Sequence, residues 1–368
     1  MKVAYYLHWN MSLESGVLKK LAAQLRSWIR QGTQVHLFAL SHALPIWPGL
    51  VDLPVTALSN SSLLQRNCQA RRLASAIETW QPDVVYARFG TYYPALERLF
   101  RRLPVVFEVN TDDQAENRLA YPTWRVMYHQ ITRRRMLAGA AGMVFVTREL
   151  ASRFAWSGRQ AVVSNGIPLA DFPEHPAPPR HDFPRLVFMG HPGIARDPAL
   201  NWHGLDRLLA LAGAFPTWQF DVIGPGHEEV GGGGVVPANV HLHGYLGAAE
   251  YAPLLAASDV GVGTLALDRK GMQEACPLKV REYLAAGLPV LTAYQDTDFP
   301  DGAPFLLNLP LASGDILDHV AEISGFVSDW QGRRVPRAAI AHLDSDFKEA
   351  RRLEFLAQVA GDAGGSPG

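Results

Sequence analysis

The sequence predicts an α/β chain of two doubly wound domains. Three observations predict it. The chain has 368 residues, 48% apolar and 19% charged. Two successive series of short β-branched or aromatic runs alternate with longer helical patterns. A proline-rich break separates the two series. A chain of this length is too long for one compact core and about right for two domains. Strands alternating with helices are the pattern of parallel sheets covered on both faces.

The opening MKVAYYLHWN has one lysine and then a short β-rich run, without the apolar core or cleavage site of a secretory leader, and reads as the first strand, Lys2–Leu7. A helix is expected over Gly16–Arg30. There Val17, Leu18, Leu21, Leu25, Trp28 and Ile29 recur at helical spacing, while Lys19, Lys20 and Arg26 fall elsewhere around it. Further strands are expected at Gln34–Leu40, Asp83–Ala87, Val105–Val109, Gly142–Val146 and Ala161–Val163. The pattern breaks at Asn165-Gly166-Ile167-Pro168, and residues 173–184, PEHPAPPRHDFP, lack periodicity as an interdomain linker would.

The second series has expected strands at Leu186–Met189, Gln219–Ile223, Val240–His243, Val260–Thr264, Pro289–Thr292 and Phe305–Asn308. Its helices are expected near Leu205–Ala214, Ala248–Ala257, Pro277–Ala286 and Ile316–Phe326. A last helix near Phe347–Val359 precedes a Gly/Ser/Pro tail expected to be disordered, and the glycines at 231–234 read as a surface loop. The domains are thus 1–170, a linker over 171–184, and 185–345. A helix within 346–360, expected to pack back toward the first domain, and a tail over 361–368 complete the chain.

No apolar stretch approaches the roughly 20 residues needed to cross a bilayer. Cys68 and Cys276 are too few for a disulfide framework or a Cys-rich metal site, so a reducing cytoplasm is the expected setting. The net charge of −1 hides an asymmetry. Residues 1–170 carry 20 Lys and Arg against 10 Asp and Glu, a balance of +10, and 171–368 carry 14 against 25, a balance of −11. A basic domain attracts something anionic: a lipid surface, a phosphorylated acceptor or nucleic acid. Solvated arginine-rich helix faces would give the same count. The clusters are Arg98, Arg101, Arg102 and Arg133-Arg134-Arg135.

The segment Glu274–Val290, EACPLKVREYLAAGLPV, carries the most chemistry. Pro277 suits the first position of a helix, and Gly287 followed by Pro289 ends it. Ligands of doubly wound sheets sit at the carboxyl ends of strands, and phosphates at helix N-termini, where unpaired N–H groups and the helix dipole favour negative charge. Lys279 and Glu282 are three apart and share a helix face, spaced to meet a phosphate and a vicinal diol. Glu274, read in the loop before the helix, could hydrogen-bond hydroxyls beyond the phosphate. An ordinary amphipathic helix carries such a Lys/Glu pair as well.

These residues resemble a known signature. Glu274 and Glu282 are separated by seven residues, and the following Gly287 and Pro289-Val290 are similar to the E-x7-E segment of retaining GT-B glycosyltransferases of family four. VVSNGIPLADF at 162–172, FDVIGPG at 220–226, NVHLHGYL at 239–246 and ASDVGVGT at 257–264 resemble passages of the same family in the same order. WHG at 202–204, RKG at 269–271 and PLKVREYLA at 277–285 are similar to bacterial surface-polysaccharide glycosyltransferases.

The resemblance implies two Rossmann-like domains of GT-B type and retaining transfer of a sugar from a UDP-, GDP- or other nucleotide-diphosphate sugar. It implies neither a cofactor nor a metal; the adjacent Asp112-Asp113 lacks the spacing of a metal-binding DxD. Glu274 would contact the donor sugar and Glu282 the ribose. Backbone amides over Cys276–Lys279, Leu278 among them, would hold the diphosphate. Gly244 and Tyr245, after His243, would lie against the base, and Gly16 would let the diphosphate approach. Asn110, Thr111, Asp112 and Asp113 would face sugar or acceptor, Asp112 foremost.

One departure stands out. The family's loop Arg and Lys are missing from GHPGIARDPALNWHG, which begins at Gly190 and places His191 and His203 at the nearest positions. Neutral histidine is a poor substitute for guanidinium. Arg196, Lys279, Arg269 or Lys270 would then supply the charge. The acceptor expected is a lipid-linked or polysaccharide precursor at the inner face of the cell membrane, held there by the basic domain, with no nucleic acid as partner. The alternatives are a catalytically silent GT-B binding module and a GT-B nucleotide-sugar epimerase. A nicotinamide dehydrogenase is excluded, because neither HWNMSLESG nor GHPGIARD supplies G-x-G-x-x-G.

Overall fold

A computed structural model describes residues 1–60, 63–178, 182–190, 201–226, 230, 236–310 and 314–364. The chain divides into two compact units. The first comprises 1–117, 122–166 and the C-terminal residues from Asp344; the second comprises 118–121 and 167–343.

In the first unit β1 (Lys2–His8), β2 (Gln34–Ser41), β3 (Val55–Ser59), β4 (Val84–Arg88), β5 (Val105–Val109), β6 (Gly142–Phe145) and β7 (Gln160–Val162) form one sheet in the order β3-β2-β1-β4-β5-β6-β7. Every pairing is parallel. Alternate residues of β1 enter two cores. Val3, Tyr5 and Leu7 meet Leu18, Leu21, Leu25 and Trp28 of α1 (Gly16–Arg30), and Ala4 and Tyr6 meet Leu73 and Ile77 of α2 (Leu63–Trp80). A strand buried on both faces has to be apolar throughout, which is why VAYYL reads as an unbroken run. The edge strand β3 is absent from the strands the sequence predicts. Val55 to Leu58 are only half buried, so the apolar signal there is weak. The remaining helices of this part of the chain are α3 (Pro94–Phe100), α4 (Asp113–Ala120), α5 (Thr123–Gly139) and α6 (Arg148–Phe154).

In the second unit β8 (Arg185–Met189), β9 (Gln219–Ile223), β10 (Val240–Leu242), β11 (Val260–Val262), β13 (Val290–Thr292) and β15 (Leu306–Asn308) form a parallel sheet in the order β10-β9-β8-β11-β13-β15. Counted from its own first strand this is 3-2-1-4-5-6, the doubly wound order. The two-residue strands β12 (Glu274–Ala275) and β14 (Gln295–Asp296) pair separately. Its helices are α7 (Leu205–Ala214), α8 (Ala248–Ala257), α9 (Leu278–Ala285) and α10 (Val320–Trp330), the last entered through a 3-10 turn over Ile316–His319.

The last helix, α11 (Ser345–Gly364), is longer than the predicted 347–359 and makes the start of the expected 361–368 tail helical. It docks on α1, where Trp28 Nε1 and Gln24 Nε2 donate to Glu349 Oε2 at 2.8 and 3.0 Å. Arg352, fully buried, pairs with Glu349, donates to Val163 O at 3.2 Å and lies 3.5 Å from Glu108 in β5. Lys20 of α1 completes the network at 2.7 Å from Glu108. Burial pushes the Glu108 carboxyl up, but Lys20 and Arg352 outweigh it and hold it at about 2. Buried charges on three elements are tolerable only because each is paired.

Candidate functional site

Doubly wound sheets bind ligands beyond the carboxyl ends of their strands, where the strand order reverses. In the second unit that point lies between β8, followed by Gly190, and β11, followed by Gly263. Lys279 reaches it from the first turn of α9. Its Nζ donates to Gly263 O at 3.1 Å and stands 4.1 Å from the ring centre of Phe188 in β8. Burial pushes its amine down to about 7, since low-dielectric surroundings disfavour the ammonium form. Pro277 is the N-cap of α9, with φ −65° and ψ 141°, one position before the first-turn place the sequence suggests. It has no side-chain acceptor, so the N-cap residue itself caps none of the first-turn N–H groups, and a helix N-terminus with its dipole favours an anion.

Three contacts fix α9 in this place. Gly261 of β11 has no side chain, and a Cβ there would lie 2.6 Å from the Tyr283 ring. The Tyr283 hydroxyl accepts from Met189 N at 2.6 Å. Arg281 is wholly buried and donates to both Asp296 oxygens, at 2.6 and 2.9 Å, and to Asp298 at 2.6 Å.

Glu282, on the same helix as Lys279, is buried, and the Tyr251 hydroxyl of α8 donates to its Oε2. Glu274 lies not in a loop but in β12, opposite Gln295 of β14, so its backbone direction is set by a ladder. Cys276 is a buried free thiol, and Leu278 is the first residue of α9.

Beside this crevice the ends of β8, β9 and β10 are drawn together through backbone alone. Gly190 N–H donates to Ile223 O at 3.0 Å, and Gly224 N–H to Gly244 O at 2.7 Å. Gly224 has φ +121°, and a Cβ on it would stand 1.8 Å from Gly190 O. Both the backbone angle and the close approach require glycine. Gly224→Ala is therefore expected to cost at least ~2 kcal/mol of stability, read from urea unfolding, a substitution that forces strained backbone apart. A loss below 0.5 kcal/mol, at about the level of an ordinary surface change, would contradict it. Tyr245, which follows Gly244, is 61% exposed.

The WHG and RKG passages form one structural piece. Leu265 and Ala266 N–H donate to His203 O and Trp202 O at 3.1 and 3.2 Å, and Lys270 Nζ lies 4.4 Å over the Trp202 ring. The glycines have positive φ, +77° at Gly204 and +64° at Gly271, and a Cβ on Gly204 would meet Leu265 at 2.8 Å. Arg269 is held by both Asp206 oxygens, at 3.0 and 2.6 Å, and by Asn201 O at 2.7 Å. Its guanidinium is thus engaged within the fold. His203 N–H donates to Asn201 Oδ1 at 2.9 Å. His191 and Arg196 lie outside the described residues.

In the first unit Gly16 opens α1, whose N-cap Ser15 accepts from Leu18 N. Asp112, expected to face sugar or acceptor, has a different task. Its Oδ1 accepts from Gln114 N and Ala115 N at 3.1 and 2.9 Å and so caps α4, while Arg153 lies 3.6 Å from its other oxygen. Asp113 is buried between His129 and Arg133 of α5, with Arg133 Nε at 2.9 Å.

The sequence reading passed over His8 at the carboxyl end of β1, the switch point of this sheet. Asn60 Nδ2 lies 3.0 Å from its Nε2 and Tyr93 Oη 2.6 Å from its Nδ1. Burial, then the charges of Arg66, His42 and Arg125, push its imidazole down to about 4, so it is neutral at pH 7. Its place just past the first predicted strand was the available signal.

Residues 16–171 match the model of Glycosyltransferase Family 4. No curated protein matches the chain. Among solved structures the chain is similar to the lipopolysaccharide outer core galactosyltransferase WaaB in its apo form, at 12% identity and TM-score 0.61, covering 99% of this chain and 100% of that one. It is similar to the pneumococcal O-GlcNAc transferase GtfA in complex with UDP and GlcNAc, at 9% identity and TM-score 0.63, covering 100% and 99%. It is also similar to a protein from Listeria monocytogenes described as a UDP-N-acetylglucosamine 2-epimerase, at 13% identity and TM-score 0.56, covering 96% and 94%. At such identities the likeness speaks for the shared fold, which transferases and epimerases both use. Residues 16–171 thus match a family 4 glycosyltransferase domain, and the chain as a whole shares the GT-B fold of solved glycosyltransferases.

Proposed function

We propose that the chain transfers a sugar from a nucleotide diphosphate sugar to a lipid-linked or polysaccharide-precursor acceptor, with retention at the anomeric carbon. The observation that carries the donor half of this reading is Lys279. A desolvated amine stands at the switch point of the second sheet, beside a helix N-terminus whose N-cap residue, a proline, offers no side-chain acceptor. An arriving diphosphate would favour the ammonium form, so the cation is strongest where the leaving group needs it.

Arg269 and Lys270 are weaker candidates for that role, since Asp206 and Trp202 already engage them. Glu282, steadied by Tyr251, would accept hydrogen bonds from the ribose diol. Glu274 would meet the donor sugar from β12, and Gly190, Gly244 and Tyr245 would border the base. The departing diphosphate would take the acceptor's proton, so neither glutamate serves as the acid–base pair of a glycoside hydrolase. His8 is a better acceptor-facing candidate than Asp112, whose carboxylate is spent on a helix cap.

Binding raises apparent stability by mass action, about 2.7 kcal/mol at a hundred times Kd. The chain is expected to gain thermal stability with one class of nucleoside diphosphate, UDP or GDP, and with its sugars, and to turn over that donor. No shift with any of them would sink the donor assignment. A shift without turnover across donors and acceptors would point to a silent binding module. Interconversion of the free nucleotide sugar would point to an epimerase.

A further inference from the structure

We propose that α5 is a membrane-interface helix that seats the chain on an anionic bilayer. Its large apolar side chains are turned outward. Trp124, Met127, Tyr128 and Ile131 are 66%, 57%, 38% and 70% exposed, and their i, i+3, i+4, i+7 spacing places them on one face. The opposite face points its polar groups inward. His129, Thr132 and Met136 are buried there, and Arg133 reaches in to Asp113. A helix solvated by water alone would show the reverse distribution. The other exposed large apolar side chains, such as Leu13, Val51 and Phe347, stand on other elements, and exposed apolar side chains as such are ordinary for a surface.

Charge identifies the occupant. Arg134 and Arg135 continue the same exposed side one turn on. Arg134 forms no ion pair with any described residue, while Arg135 lies 3.0 Å from Glu97. The remaining clustered arginines are engaged in the fold, Arg98 and Arg102 by Glu78 and Arg101 by Glu97. A stripe of Trp, Met, Tyr and Ile about 10 Å long, continued by arginine, fits the boundary between acyl chains and anionic headgroups. The +10 balance of residues 1–170 favours the same surface. Among the described residues no helix is long and apolar enough to cross a membrane, so the contact is peripheral. This rests on the lipid-linked acceptor only for its purpose, since it would hold the chain where such an acceptor lies.

The test uses the full chain, with neither donor nor acceptor, in co-sedimentation with phosphatidylcholine vesicles that contain or lack phosphatidylglycerol. The wild type is expected to bind the anionic vesicles. The double variant Trp124→Ser/Ile131→Ser should lower the partition by about tenfold or more with an unchanged Tm, since both side chains stand in water in the free protein. Arg134→Gln should weaken binding about fivefold, at low salt only. The proposal falls if the wild type binds neither vesicle, or if the double variant binds as the wild type does. It also falls if the double variant turns a dimer into a monomer, which would make this face a contact between copies of the chain. Nucleoside diphosphate binding is measured separately, so failure here leaves the donor assignment standing, and the reverse holds as well.

Discussion

Lys279→Met is expected to lower transfer from the nucleotide sugar by about a hundredfold while leaving the protein at least as stable as the wild type at pH 7. The first half follows from position. Loss of a donor aimed at developing charge typically costs about 10²–10³ in turnover, and Lys279 is the cation at the switch point of the second sheet. The second half follows from burial, which holds its amine at about 7 against an ordinary value of 10.5. Between those two values the unfolded chain binds the extra proton, so this group's contribution to stability rises with pH across that window. Methionine has no such debt, and its stem can cover the Phe188 ring that the lysine now covers. Urea unfolding at pH 7 and pH 10 should therefore show a smaller rise in the variant. A variant that turns over within a few-fold of wild type would remove Lys279 from the leaving-group role.

The central strands were legible because burial on both faces makes each an apolar run, and their order follows from the doubly wound pattern. What escaped the sequence had other causes. The edge strand β3 is half exposed, and β12 and β14 are two residues long, too short for any period to register. Asp112 was read as a ligand group although an aspartate immediately before a helix is also the ordinary cap, and the structure uses it so. The engagement of Arg269 in RKG has no sequence signal because its partner Asp206 is 63 residues away.

The stripe on α5 is visible in the sequence at i, i+3, i+4 and i+7, but periodicity does not say which face water sees. The family match covers 16–171, whereas the resemblance was richest over 274–290. The donor role proposed for that segment thus rests on its own geometry. Its E-x7-E spacing places one glutamate on a short ladder and the other on a helix braced by Tyr251.

Arg281→Leu is expected to destabilise the protein by about 3–5 kcal/mol, the cost of leaving buried charges without their partner. Arg281 has no exposure and joins α9 to the segment after β13 through Asp296 and Asp298. Burial pushes its guanidinium down, but the two aspartates outweigh it and raise it above its ordinary value, so removal strands two carboxylates with little water to replace it. Of the residues between Lys279 and Glu282, this one should disturb the proposed donor site most without belonging to it. Its loss frees the helix from β14, which pairs with Glu274. The triple variant Arg281→Leu/Asp296→Asn/Asp298→Asn separates the two effects. If unpaired charge is the cause, neutralising both carboxylates should recover a large part of the unfolding free energy in urea. No recovery would mean that the arginine acts by filling space, and that the ion pairs contribute little to holding the donor helix.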